Sequence, residues 1–160
     1  MGRIARAPRL DQIDPAALGA EAAAAFLEHL ESLGCLGSKA KTRAAQLATE
    51  VAELVRLAQL GGPIPRAWIA GLWPLLATPL GQGQAPVSDP DRLEPGLLSS
   101  LALVVLAIHA REALASGRPL EASELAALAS CSGRLVRKEL GARIDTARAR
   151  VWLHYQKVAL

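Results

Sequence analysis

Arg134, Arg137 and Lys138 are close enough in sequence to share one helix, and Arg143, Arg148 and Arg150 follow shortly after. Guanidinium groups offer paired N–H donors that match the oxygens of a phosphate or the acceptor edge of a guanine. An ammonium such as that of Lys138 acts as a point charge toward a phosphate. Ser132 stands just ahead of the first arginine, and its hydroxyl suits an N-cap, accepting from the amides two or three residues on. From Arg118 onward there are eight basic and four acidic residues, a balance of +4, and the first 117 residues carry −1. The positive charge therefore gathers around this stretch, as binding to a polyanion requires.

Other chemistries find little support. His29, His109 and His154 are far apart, and none stands in a metal-ligand spacing with Cys or Glu. His109 and Glu112 share a helix face at i, i+3, without a third ligand. Gly81-Gln82-Gly83 has neither a strand before it nor a helix after it, so it does not read as a phosphate loop. Cys131 lies beside a helix start that would lower a thiol pKa, which allows redox sensing; its place among apolar positions favours a core role. With only Cys35 and Cys131, buried thiols in a reducing cytoplasm are the expectation. Neither an enzyme nor a cofactor is expected.

The element that must position the basic residues is the stretch 121–140, EASELAALASCSGRLVRKEL. Leu125, Ala126, Ala129, Cys131, Val136 and Leu140 are apolar, and Ser130, Ser132 and Gly133 interrupt the helical pattern. This predicts two short helices joined by a tight turn, with Ala126 as the small residue where they touch. The arrangement of Leu125-Ala126, Ser130, Ser132 and Val136 resembles the helix-turn-helix of small prokaryotic DNA-binding regulators, of the excisionase-like and phage or plasmid repressor-like type. Two positions depart from that pattern. Ser130 stands where Gly is frequent, so a left-handed backbone there costs about 1 kcal/mol or more. Glu139 stands where a second apolar residue is usual, and Leu140 takes that part after a small rotation.

Composition favours an all-α chain: hydrophobic residues are 51% and aromatic residues 3% of it, with few of the β-branched and aromatic types that strands collect. Residues 1–13 read as a basic, mobile arm. Asp14-Pro15 reads as N-cap and first position of a helix ending at Gly34, with Leu18, Ala22, Ala25, Phe26, Leu30 and Leu33 on one stripe. A second helix is predicted from about Ser38 to Leu60, ended by Gly61-Gly62, and a shorter one over 66–77 carrying Trp68 and Trp73. These make an N-terminal helical module, residues 14–77, for dimerisation or partner binding. Residues 78–96, dense in Pro and Gly, read as a linker or loop. Residues 97–160 form the expected helix-turn-helix domain. Its first helix, 97–116, is apolar nearly all round until His109 and Arg111 mark a return to solvent. The run 97–110 is too short to span a bilayer, and Asp11 and Asp14 break any N-terminal signal core, so a cytoplasmic location is expected.

In the tail, Asp145 predicts an N-cap for a closing helix with Ala147, Val151, Trp152 and Tyr155 inward. The segment Ala149-Arg150-Val151-Trp152-Leu153 resembles the closing helix of the same regulator class. A β-wing pairing 142–144 with 150–153 is the alternative, and the weak strand propensity of Ala147, Arg148 and Ala149 favours the helix.

The resemblance implies a sequence-specific regulator that binds double-stranded DNA as a homodimer. Ser132 would cap the recognition helix, Arg134 and Arg137 would read guanine, and Lys138, Arg143, Arg148 and Arg150 would grip phosphate. The alternative is a protein–protein adaptor of a phage, plasmid or defence system, with Trp68 and Trp73 as anchors.

Overall fold

In the computed structural model, residues 9–64, 71–81 and 96–160 are described. The chain is mostly helical, as composition predicts, with elements α1 (Pro15–Ser32), α2 (Ala40–Leu60), α3 (Leu72–Ala77), α4 (Leu97–Ser116), α5 (Ala122–Ala129), α6 (Gly133–Leu140) and α7 (Thr146–Tyr155). Among the described residues the only strands are two-residue β1 (Leu120–Glu121) and β2 (Arg143–Ile144), which pair antiparallel. Short 3-10 turns cover Leu10–Gln12 and Thr78–Leu80.

Local chemistry accounts for the helix ends. The Asp14 carboxylate accepts from the amides of Ala16 and Ala17, with Pro15 in the first helical position, where its missing N–H costs nothing. Gly34 then takes φ +68°, and the amides of Gly34 and Cys35 return to the carbonyls of Glu31 and Leu30. That is the paired bonding of a left-handed helix terminus. The same closure recurs at Ser130 and Lys157, the two non-glycine residues with positive φ among the described residues.

α1 packs chiefly on α2. At the crossing Gly19 sits against the backbone carbonyl of Ala48, so closely that a Cβ at residue 19 would overlap it. α4 lies between this pair and the C-terminal elements and contacts α1, α2, α5 and α7. Its buried residues include Leu101, Val104, Val105, Ile108 and Ala110, and a single apolar cluster runs from Leu10 through α2 and α4 to Leu153. α4 is also long and apolar enough to cross a membrane by length and composition, unlike the shorter run expected; most of it is buried inside the fold.

Several expectations are corrected. Arg111 does not return α4 to solvent: it is 9% exposed. Its Nε donates to the carbonyl of Ala58 and its Nη2 to that of Gln59, both at 2.8 Å. Those carbonyls lie at the C-terminus of α2, where they lack helical partners and where a positive charge is favoured. Burial lowers the Arg111 pKa. The arm expected over 1–13 is packed from Leu10: Leu10 and Ile13 are buried, and the Gln59 amide donates to both of their carbonyls. Its earlier residues, 1–8, lie outside the described residues. The linker expected from 78 begins with an ordered turn whose Leu80 is buried, capped by left-handed Gly81; residues 82–95 lie outside the described residues. The helix expected over 66–77 is seen from Leu72. Cys35 is exposed in the loop after α1, against the burial expected of it, and Cys131 is partly buried.

Candidate nucleic-acid interface

The basic residues are positioned by a unit built from β1, α5, α6, β2 and α7. Its turn is residues 130–132. Ser130 adopts φ 55°, ψ 42°, the left-handed conformation that its place between the two apolar stripes demands. The amides of Ser130 and Cys131 close on the carbonyls of Ala127 and Ala126. Ser132 caps α6, its Oγ accepting from the amide of Leu135 at 3.2 Å. Leu125, Val136 and Ile144 are fully buried beneath the unit.

The unit's two ends are joined by the ladder, in the register Leu120↔Ile144 and Glu121↔Arg143. The ladder takes Glu121 into a strand, where helix was expected from that residue. It also accounts for part of the β-wing alternative: Arg143–Ile144 is a strand, but its partner is β1, and residues 146–155 are helical. Asp145 caps α7 by accepting from the amide of Arg148 at 2.9 Å. The inward stripe of α7 is Ala149, Trp152 and Leu153; Trp152 is buried as expected, whereas Val151 and Tyr155 are exposed and Ala147 with them, opposite to expectation. Trp152 reaches α6, where its Nε1 donates to Glu139 Oε2 at 2.7 Å. Glu139 therefore occupies its unusual position as the acceptor for a buried indole.

On α6, Gly133 and Val136 are buried and Leu140 partly so. At about 100° per residue, the opposite face is centred on Lys138 and Arg134, with Leu135 beside them at 40% exposure. Arg137 lies on the flank. Its guanidinium folds back toward Gly133, to about the 3.5 Å at which a Cβ there would touch it, and it lines a cleft with Arg118 and Arg143. Arg134, Arg137 and Lys138 are all exposed; Arg134 and Lys138 lie nearest the centre of the outward face, and Arg137 stands at its edge. Arg143 and Arg148 are exposed. Arg150 has an exposed body, but its Nη2 donates to the Leu114 carbonyl at 2.8 Å, tying α7 to the C-terminal end of α4 in addition to any external role.

Arg118, which the sequence offers only as a positive charge, has a structural part. Its Nε reaches Glu112 at 3.2 Å and its Nη2 reaches Glu124 at 3.1 Å; further bonds run to Glu124 and to the carbonyls of Pro119 and His109. Burial works to lower its pKa, but hydrogen bonds and charge from Glu124, then Glu112, outweigh that and raise it. Glu124 also accepts from the Glu121 amide at 3.0 Å, the half of a capping box that its position three residues on makes legible.

Of the two tryptophans expected as anchors, Trp68 lies outside the described residues. Trp73 packs partly buried against the core, with its indole nitrogen buried and without a hydrogen-bond partner. Among the described residues no three His, Cys, Asp or Glu side chains gather as a metal site. No protein-family model, curated protein or solved structure matches the chain.

Proposed function

We propose that the protein binds double-stranded DNA as a transcriptional regulator, with α5 and α6 as a helix-turn-helix and α6 as the helix that enters the major groove. The observation that carries this reading is the outward face of α6. Arg134 and Lys138 are exposed there, and among the described residues neither side chain makes a hydrogen bond or ion pair, whereas Arg111 and Arg118 are bonded to carbonyls and carboxylates of the fold. Side chains from the first turns of such a helix reach base edges. Arg134 suits guanine, Leu135 suits a thymine methyl, and Lys138 and Arg148 suit phosphate. A single unit of this size covers little DNA, so the reading includes a homodimer on a two-fold site.

The test is selection from a random duplex pool followed by fluorescence anisotropy at two salt concentrations. A recovered motif that the parent binds, and that an Arg134→Ala/Lys138→Ala variant with unchanged melting temperature does not, supports the reading. Equal binding by parent and variant, or no binding to any duplex, refutes it.

A further inference from the structure

Arg118, Arg137 and Arg143 come from three separate places in the chain, yet they line one cleft of about 490 Å³ together with Glu121 and Ser123. The three arginines are not equivalent. Arg118 directs its Nε, Nη1 and Nη2 groups to two carboxylates and two backbone carbonyls, so all five N–H donors of the guanidinium have a partner. It is a fixed wall of the cleft. The side chains of Arg137 and Arg143 have no hydrogen bond or ion pair among the described residues, so both forks are available. The Ser123 residue is 9% exposed and stands in the first turn of α5, where the helix dipole favours negative charge. The ladder fixes the backbone of Arg143, and the Arg137 guanidinium lies over the open side of Gly133.

We propose that this cleft is a seat for a phosphate group, held by the Arg137 and Arg143 forks and by the Ser123 hydroxyl. Two guanidinium forks match the oxygens of one phosphate, each fork able to give two parallel N–H···O bonds. The volume falls within the ordinary range for ligand sites, roughly 300–1,000 Å³, and leaves room for the group to which the phosphate is esterified. Glu121 is the one carboxylate on the lining, and it opposes the anion and limits affinity. The phosphate comes either from a DNA backbone, in which case the seat rests on the DNA reading and moves Arg137 from base reading to backbone gripping, or from a small phosphomonoester, in which case the seat stands without that reading.

The experiment is NMR of the arginine Nε–Hε signals of the full-length protein, titrated with inorganic phosphate and, separately, with chloride at matched ionic strength. Saturable shifts of Arg137 and Arg143 with phosphate alone are expected. Arg137→Gln and Arg143→Gln should each weaken the phosphate affinity about tenfold, as loss of a charge-assisted hydrogen bond implies, and Glu121→Gln should tighten it. Shifts that never saturate, that chloride reproduces, or that survive both Gln variants overturn the proposal. A short duplex is then added to the phosphate-loaded protein. Displacement of phosphate identifies the backbone as its source, and binding of duplex without displacement identifies a small phosphomonoester. If phosphate binds and duplex does not, the seat stands and the DNA reading falls.

Discussion

The hydroxyl of Ser130, at the turn between α5 and α6, accepts a hydrogen bond from the backbone amide of Leu10 at 3.2 Å, across 120 residues of chain. One residue thus carries two burdens: a left-handed backbone that favours glycine, and the docking of the N-terminal segment. Leu10 is buried beside it. The serine resolves a conflict that glycine would leave half solved, because glycine relaxes the backbone but offers no acceptor.

Substitutions at Ser130 should separate the two terms. Ser130→Gly relieves roughly 1 kcal/mol of backbone strain and forfeits a bond of similar net worth, about 0.5–1.5 kcal/mol, so its stability should be close to the parent's. Ser130→Ala loses the bond with no relief and should be less stable by about 1 kcal/mol. Urea denaturation of the three proteins checks the order. An alanine variant as stable as the glycine variant would show that the Leu10 bond contributes nothing.

Gly19 should be intolerant of a single methyl group. In an exposed helix Gly→Ala stabilises by about 1 kcal/mol. Here the Cβ meets the Ala48 carbonyl, part of a backbone that cannot step aside, so Gly19→Ala should destabilise by about 1–3 kcal/mol as overpacking does. The sign of the change in melting temperature decides between the two.

Arg111 should be among the least replaceable charges. Arg111→Met keeps the apolar stem and leaves the carbonyls of Ala58 and Gln59 without their donors, at a cost of about 2–4 kcal/mol. Arg111→Lys should recover only part of it, since one ammonium does not reproduce a fork. Calorimetric unfolding would measure both, and a methionine variant within about 0.5 kcal/mol of the parent would contradict the role.

The Trp152–Glu139 bond predicts a coupled pair. Glu139→Gln keeps an acceptor oxygen and should be mild. Glu139→Ala and Trp152→Phe should each cost about 1–2 kcal/mol, and the double variant should cost less than their sum. Additive losses in a double-mutant cycle would mean the 2.7 Å contact carries no energy.

On DNA, Arg134→Ala should cost about 1–3 kcal/mol of specific binding while sparing non-specific binding. Arg148→Ala should weaken both alike and reduce the salt slope by about one. Anisotropy titrations on target and scrambled duplexes distinguish these patterns; equal losses on both duplexes for Arg134→Ala would remove it from base reading.

Much of the helical layout is legible in the residues. Asp14-Pro15, Gly34, Gly61, Gly117, Ser132 and Asp145 punctuate the chain through local rules, and each of those rules operates over a few residues. What was not legible depends on partners distant in sequence. Arg111 reads as polar until the end of α2 arrives more than 50 residues away in sequence. Glu139 reads as a departure until Trp152 supplies a donor. In α7 only Trp152 of the expected inward set Ala147, Val151, Trp152 and Tyr155 is buried; Ala149 and Leu153 are as apolar as Ala147 and Val151, and periodicity alone does not choose between them. For the candidate interface, the basic residues stand out by composition, but the separation of Arg137 from Arg134 required knowing which side of α6 is buried.

The ladder between β1 and β2 has two residue pairs, and this sets how the basic face can be adjusted. Side chains alternate across a strand, so a slip by one residue would turn Leu120 or Ile144 into water and bring Glu121 or Arg143 into the core. Both apolar members are fully buried. Burial of one side of a two-pair ladder is thus enough to fix where Arg143 emerges relative to Glu121.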